Sequence, residues 1–228
     1  MRITELWRYP VKSLAGEALS SVAVEHAGLA FDRRYAIIDC RPLREGKTLT
    51  STQNATMLSY RAVVRDDNVV VTAPTGRRHR WDDPELEKSL AALLQQPIAL
   101  AESEAERFFD QHTILMVSAA SLRALGEEWQ ATLDGQRFRP NIVIDGTDLA
   151  PFVETTWQQA RFNAGGAAFE AVELCERCVV PTIDPKTLER RPDLLRLLVQ
   201  KHATYFGLYC RVSQTGDIHV GDTWKVVR

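Results

Sequence analysis

The sequence predicts a mainly β fold with a few covering helices, an α+β protein, and three observations predict it. Short runs rich in β-branched and aromatic residues recur through the first third, separated by Gly, Asp, Asn and Pro. Helical periodicity is confined to a few stretches of ordinary helix length. The composition, 45% apolar and 25% charged over 228 residues with no low-complexity block, is that of a folded domain. A chain of this length can bury a sizeable core, as one large domain or as two lobes.

Taken in order, Ser21 to Val24, Tyr35 to Cys40, Tyr60 to Val64 and Val69 to Thr72 read as strands joined by short turns. No run in this part suggests a strand-helix-strand crossover or a Gly-rich phosphate loop, which argues against a dinucleotide-binding domain. Asp83-Pro84 opens a helix, with Asp as the cap and Pro tolerated at the first helical position, and Leu86, Leu90, Leu93 and Leu94 form its apolar stripe. A boundary between lobes falls in the charge-dense segment Glu102 to Gln111. Ile114 to Val117 reads as a buried strand, and Ser118 as the cap of a helix carrying Leu122, Leu125, Trp129 and Leu133 to a stop at Asp134-Gly135. The unpaired amides at such a helix start would welcome a phosphate. Asn141 to Asp145 and Ala167 to Leu174 are further strands, and a short helix runs from about Pro192 to Lys201. Tyr209 to Ser213 and Asp217 to Val227 flank Thr215-Gly216 as a closing hairpin, with a second turn or bulge at Gly221-Asp222.

A formal net charge of -2 gives no global reason to expect nucleic acid or an anionic membrane as partner. No apolar run approaches the roughly 20 residues that span a bilayer, and the start, Met1 to Trp7, lacks the apolar stretch of a signal peptide. The expected location is cytoplasmic. The four cysteines, Cys40, Cys175, Cys178 and Cys210, are too few and too irregular for a secreted disulfide framework.

Chemistry concentrates at Cys175-Glu176-Arg177-Cys178, which ends an apolar strand and precedes Val179-Val180-Pro181-Thr182-Ile183-Asp184-Pro185. From spacing alone four readings stay open. A structural zinc site needs two more ligands, which His202 and Cys210 could supply only by long-range folding. A thioredoxin-like pair would precede a helix, and the Pro-rich continuation does not start one. The two thiols could carry no chemistry. Finally, one thiolate could ligate a soft or redox-active metal, with Arg177 favouring the ionised sulfur.

The surrounding residues resemble a family. Cys175-Glu176-Arg177-Cys178 with Pro181-Thr182-Ile183-Asp184-Pro185-Lys186-Thr187 is similar to the cysteine signature of the MOSC domain, the module akin to the C-terminal part of molybdenum cofactor sulfurase. Tyr9-Pro10-Val11-Lys12-Ser13 and Asp32-Arg33-Arg34-Tyr35 resemble its N-terminal β-barrel lobe, Phe138-Arg139-Pro140-Asn141 its central motif, and Phe206-Gly207 with Val220-Gly221-Asp222 its closing segment. The resemblance covers nearly the whole chain and points to the two-lobed branch that includes the mitochondrial amidoxime-reducing component. It implies an N-terminal MOSC β-barrel lobe over 1–105, a MOSC β-barrel domain over 106–228, and a molybdenum cofactor (Mo-molybdopterin) between them. By the same resemblance Cys178 is the metal ligand and catalytic centre, whereas Cys175 is not a ligand. Lys12, Ser13, Arg33, Arg139 and Asn141 would contact the cofactor, and Ser118 is added as the phosphate donor at the helix start. One thiolate suffices for a molybdenum centre that a pterin dithiolene already holds. A phosphate and pterin edges call for fixed cationic donors and amides.

The activity this implies is reduction of N-hydroxylated substrates, oxygen leaving as water. Some bacterial relatives append a ferredoxin-type domain, and here no cysteines beyond Cys210 remain to hold such a cluster. Electrons are therefore expected from a separate ferredoxin, flavin or cytochrome type protein. Leu188 stands where family members often have Gly. His112 is read as an ordinary histidine, Asp184 as a brace behind Cys178, and the five tryptophans as packing. Two rivals remain: a sulfur or molybdenum-cofactor carrier using Cys178 without turnover of its own, and a structural zinc or metal-free binding module.

Overall fold

The structure is a computed structural model and describes residues 1–104, 107–109 and 113–227, mostly strand with three α-helices among them. Four short strands come first: β1 (Arg2–Arg8), β2 (Glu17–Leu19), β3 (Ser21–Glu25) and β4 (Gly28–Leu29). Strict alternation in β3 turns Val22 and Val24 inward and leaves Ser21, Ala23 and Glu25 outside.

The next stretch builds its own core from β5 (Tyr35–Asp39), β6 (Arg61–Arg65), β7 (Asn68–Thr72), β8 (Arg78–Arg80), α1 (Pro84–Leu94) and β9 (Ile98–Glu102). β6, β7 and β8 form an antiparallel meander and β5 pairs with β9. α1 begins where the sequence expects: the Asp83 carboxylate accepts from the Glu85 amide at 2.9 Å. Leu86, Leu90 and Leu94 are buried and Leu93 half-buried, and the stripe packs with Tyr35, Ile37, Val69 and Val71. After β5 the chain turns around Asp39, whose buried carboxylate takes Arg41 Nη2 at 2.6 Å and the Arg41 amide at 3.0 Å. The Arg41 hydrogen bonds hold this carboxyl down at about 2, against 3.8 ordinarily. A depressed folded value means stability that is present above pH about 4 and is lost as pH falls towards 2. Asp39→Asn is expected to flatten the acid limb of the stability curve across that window, measured as denaturation midpoint against pH.

The second half contributes β10 (Ile114–Ser118), α2 (Ala119–Trp129), β11 (Ile142–Asp145), β12 (Arg161–Ala164), β13 (Ala167–Glu176), α3 (Pro192–His202), β14 (Tyr205–Gln214), β15 (Gly216–His219) and β16 (Lys225–Val227). One sheet of eight strands runs β16-β12-β13-β14-β10-β11-β1-β2. Within it β10 and β11 are parallel, joined by α2, while the other neighbours are antiparallel. α2 stops at Trp129, short of the expected Asp134-Gly135, because Gln130 turns left-handed and the Ala131 amide returns to the Gly126 carbonyl at 3.3 Å. Leu133 packs back from beyond the helix.

The expected closing hairpin does not form. β14 pairs with β13 from Tyr205 to Gln214 and with β10 at Leu208 to Cys210. The returning segment crosses instead to β3, as β15, and then to β12, as β16. The crossing is tight: a Cβ on Gly216 would lie 2.3 Å from the Gly166 carbonyl oxygen. The closing segment also meets the beginning of the chain, with the Ile3 amide on Asp222 O at 2.9 Å and the Trp224 amide on Met1 O at 3.1 Å.

The cores therefore ignore a single cut in the chain. Ile3, Leu6, Val22, Val24 and Leu29 pack with Met116, Ile144, Phe169 and Trp224 from the second half. The expected boundary between 105 and 106 falls on residues outside those described. Among the described residues no helix is long and apolar enough to cross a membrane.

The Phe206-Gly207 pair has a backbone reason. Gly207 sits at φ +84, and a Cβ there would lie 2.8 Å from Val117 Cγ1. Gly207→Ala is expected to cost about 3 kcal/mol of stability, as left-handed strain plus overpacking between β14 and β10. Chemical denaturation of the purified variant measures it.

Candidate functional site

A cavity of about 430 Å³ opens where the two halves meet. The first half gives it Lys12, Ser13, Arg33 and the run Thr50-Ser51-Thr52. The second gives Arg137, Phe138, Arg139, Asn141, Tyr209 and the whole Cys175-Glu176-Arg177-Cys178 segment. Of the seven residues singled out in the sequence, six line this cavity: Lys12, Ser13, Arg33, Arg139, Asn141 and Cys178. Five cationic side chains face one carboxylate in its wall, Glu176, so the site is built for an anion.

Local backbone strain aims these groups. Ser13, Arg33 and Arg139 all take left-handed conformations, with φ of 66°, 49° and 53°, which a non-glycine residue holds only when the surroundings enforce it. The enforcing element is a plate and a brace. Tyr9, buried just after β1, has two guanidiniums over its ring, that of Arg33 4.6 Å from the ring centre and that of Arg139 4.2 Å away. Burial pushes the Tyr9 phenol well above its usual value, with Arg139 and Arg33 pulling against it, so it stays neutral. Beside the plate, the fully buried Asp32 carboxylate accepts from the Tyr9 amide at 2.7 Å, from Asn141 Nδ2 at 3.0 Å and from Arg33 Nη1. Asn141 gives its second amide proton to Trp7 O at 3.2 Å, and its oxygen accepts from the Leu115 amide and Arg33 Nη1, both at 3.2 Å. Every hydrogen-bonding position of that side chain is thus in use. Asn141, expected as a cofactor donor, lines the cavity and accepts a hydrogen bond from Arg33 there.

The cysteine segment divides its two thiols. Cys175, one residue before the end of β13, faces the interior, 1% exposed, and packs with Leu194, Leu198 and Phe206. Beside it the Tyr209 phenol is raised by burial and by the Cys175 thiol. Cys178 lies beyond the strand and is exposed at the cavity. Arg177 between them turns inward, giving Nε to Phe206 O at 2.8 Å and Nη1 to Phe138 O at 3.2 Å. Its Nη2 is buried without a hydrogen-bond partner among the described residues. Behind Cys178, Arg137 holds the following turn through Pro181 O at 3.3 Å and Asp184 Oδ2 at 2.6 Å. Burial alone would raise Asp184, but the Thr187 and Lys186 amides and the Arg137 charge hold it below the usual carboxylate range. Asp184 is a brace, as the sequence suggests. Leu188 closes the same turn at φ 63°, a conformation glycine adopts at no steric cost.

Ser118 stands apart from the site. It caps α2 as expected, but its hydroxyl is buried, 2.7 Å from Ser121 Oγ, and does not line the cavity. The anion at that helix start is the protein's own: Glu154, 1% exposed, accepts from Ser121 Oγ at 2.8 Å and from the Ser118 amide at 3.4 Å. A phosphate has no room where this carboxylate already meets the helix dipole. Sequence reading also passed over Arg137, Thr50, Ser51, Thr52, Phe108, Phe109 and Tyr209, all in the cavity wall. The one available signal was at Arg137, two residues before a motif arginine. Asp110, Gln111 and His112 lie outside the described residues. Among the described residues no three or more His, Cys, Asp or Glu side chains gather as metal ligands, so the zinc reading finds no ligand set there.

The chain resembles known proteins along its whole length. The family model for the MOSC N-terminal beta barrel domain matches residues 1–112, and that for the MOSC domain matches residues 104–225. Mitochondrial amidoxime reducing component 2 of Bos taurus is 23% identical over 96% of this chain and 81% of the relative. Molybdenum cofactor sulfurase of Caenorhabditis elegans is 27% identical over 92% of this chain, which spans 33% of that larger protein. The crystal structure of the YUAD protein from Bacillus subtilis shares the fold, with a TM-score of 0.56 at 14% identity over 99% of this chain and 94% of that one.

Proposed function

Because the chain belongs to the MOSC domain family, we propose that it is a molybdenum-cofactor-dependent oxidoreductase that reduces N-hydroxylated small molecules. One observation carries the proposal: a single exposed thiol, Cys178, shares a cavity with Lys12, Arg33, Arg137, Arg139 and Arg177. The donor set suits the group. A pterin with a phosphate needs cationic, donor-rich walls, and the buried, unpartnered Nη2 of Arg177 is a donor in want of an acceptor. The bovine relative's name, an amidoxime reducing component, supports the reduction, and the nematode relative's, a molybdenum cofactor sulfurase, supports the cofactor.

In this reading Cys178 holds the metal through its thiolate, and Lys12, Ser13, Arg33, Arg139 and Arg177 hold the phosphate and the pterin edges. When bound, the cofactor supplies the two electrons that, with two protons, turn an N–OH group into N–H and water. Asp32 and Asn141 orient Arg33, and Arg137 with Asp184 fixes the turn behind Cys178. Phe108 and Phe109 give the cavity an apolar wall that helps exclude water. Electrons would come from a separate ferredoxin, flavin or cytochrome type protein in the cytoplasm, and the domain boundary would lie where the two family matches overlap, 104–112.

Protein purified from a cofactor-competent host is expected to carry near-stoichiometric molybdenum and pterin, and to reduce hydroxylamine-type substrates with a reduced dye. Zinc, or neither metal nor pterin, would overturn the proposal. The exposure of Cys178 favours one second reading, a carrier of sulfur or cofactor; ready loss of the metal without turnover would establish it instead.

A further inference from the structure

The cavity wall holds a phenol that neither the metal nor the phosphate has a use for. Tyr209 reaches it from β14. Its backbone is held from both sides, opposite Leu115 of β10 and Glu173 of β13, and Leu115 lines the same cavity. The phenol hydrogen-bonds with the Cys175 thiol and lies in the field of one guanidinium from each half, Arg177 and Arg33. Burial raises it well above its usual value and the thiol adds to this, while the two arginines pull the other way. The group keeps its proton at any working pH, so it is there to be donated.

Turning N–OH into N–H and water consumes two protons, one of them at the departing oxygen. Few groups in the wall can give one. Guanidiniums do not release theirs, Glu176 is a carboxylate, and Cys178 is the thiolate that holds the metal. Cys175 faces the interior. Lys12 serves the phosphate, and an aliphatic hydroxyl such as that of Ser13 is a much weaker acid than a phenol. Among the described residues of the wall, Tyr209 is left.

We propose that Tyr209 is a catalytic residue which donates its phenol proton to the oxygen that leaves, an inference that rests on the reductase reading above. The N–O bond breaks with its electron pair on oxygen, and that oxygen takes the phenol proton and departs as water. Nitrogen takes the two electrons that the bound cofactor supplies, and a proton from solvent. A second solvent proton restores the phenol through the open cavity. In between, Arg33 and Arg177 stabilise the phenolate. The resting contact is easily exchanged: the Cys175 thiol gives its own proton to Glu176 O at 3.8 Å, so its sulfur is the acceptor for the phenol. Sulfur accepts weakly, and an incoming N–OH oxygen displaces it.

Tyr209→Phe keeps the ring and removes only the hydroxyl. In molybdenum-loaded protein driven by a reduced dye it is expected to lower kcat roughly 100-fold, the loss typical of one donor to a developing charge, with KM changed less than about twofold. Molybdenum by elemental analysis is expected to match the parent. A readout without turnover uses loaded protein, no reductant, and tyrosine carrying carbon-13 at the ring carbon that bears the hydroxyl. The resonance missing from Tyr209→Phe identifies Tyr209, and hydroxylamine added to the parent is expected to shift it. An unchanged kcat, or a Tyr209 resonance indifferent to hydroxylamine, would overturn the inference while leaving the reductase reading intact. Molybdenum lost from the variant would make Tyr209 a cofactor-holding residue instead. A parent that holds molybdenum and pterin yet reduces no hydroxylamine would overturn the reductase reading, and this inference with it.

Discussion

Replacing Cys178 by alanine is expected to lower the molybdenum retained through purification by roughly 100-fold, and substrate reduction with it. The size follows from the donor set: no cluster of further protein ligands exists among the described residues to share the metal, and loss of supporting groups around a metal already costs about 10–100-fold. The folded protein should scarcely notice the change, because Cys178 is exposed and packs little; the cofactor-free variant is expected within about 0.5 kcal/mol of the parent. Cys175→Ala is expected to do the opposite. That thiol is 1% exposed among Leu194, Leu198 and Phe206, so truncation should cost about 1–2 kcal/mol of stability and leave molybdenum in place. Elemental analysis and denaturation on both variants separate the two effects. Equal loss of metal from each would rule out a single-thiolate site.

Asp32→Ala is the substitution expected to damage the framework most. It leaves the Tyr9 amide, Asn141 Nδ2 and the Arg33 guanidinium without their shared acceptor at a fully buried position. Breaking a buried charge pair by removing one member costs about 3–5 kcal/mol, which in a chain of this size lowers the melting temperature by on the order of 10 °C. Asp32→Asn keeps the volume and one acceptor, and should recover part of that loss. Because Arg33 and Tyr9 both lean on Asp32, cofactor retention should fall alongside stability. A variant that melts with the parent would mean that Arg33 is held from elsewhere.

How much of this could be read from the residues divides along the range of the interactions. The start of α1 was legible because Asp83 and Pro84 act within one turn, on groups two residues away. The β5, β6 and β7 strands were legible from their own β-branched and aromatic residues and the turn residues between them. The closing segment was not: Thr215-Gly216 has the composition of a hairpin turn, yet the residues after it pair with β3, almost two hundred positions earlier in the chain. Ser118 shows the same limit, since its cap was visible in the sequence while the carboxylate of Glu154, which fills that helix start, comes from thirty-six residues on. At the site, motif residues led to six cavity positions, yet Thr50-Ser51-Thr52 carries no motif and is brought there by the turn after β5. Asp32 stood inside a recognised motif, but its role as shared acceptor depends on Asn141 at a distance of 109 residues.

The position of β1 imposes an order on synthesis. Its residues are made well before the partners they pair with, being flanked by β11 and bonded to Asp222, while the Met1 carbonyl waits for Trp224. Leu6 can meet Leu19 of β2 early, but the other edge of β1, where Ile3 pairs with Ile144, stays open until most of the chain has been made. Contacts of such sequence separation delay folding and prolong the exposure of sticky strand edges. The region around Tyr35 to Glu102, with its own core, can instead condense early, whereas the cavity has both of its walls only once the second half has been made.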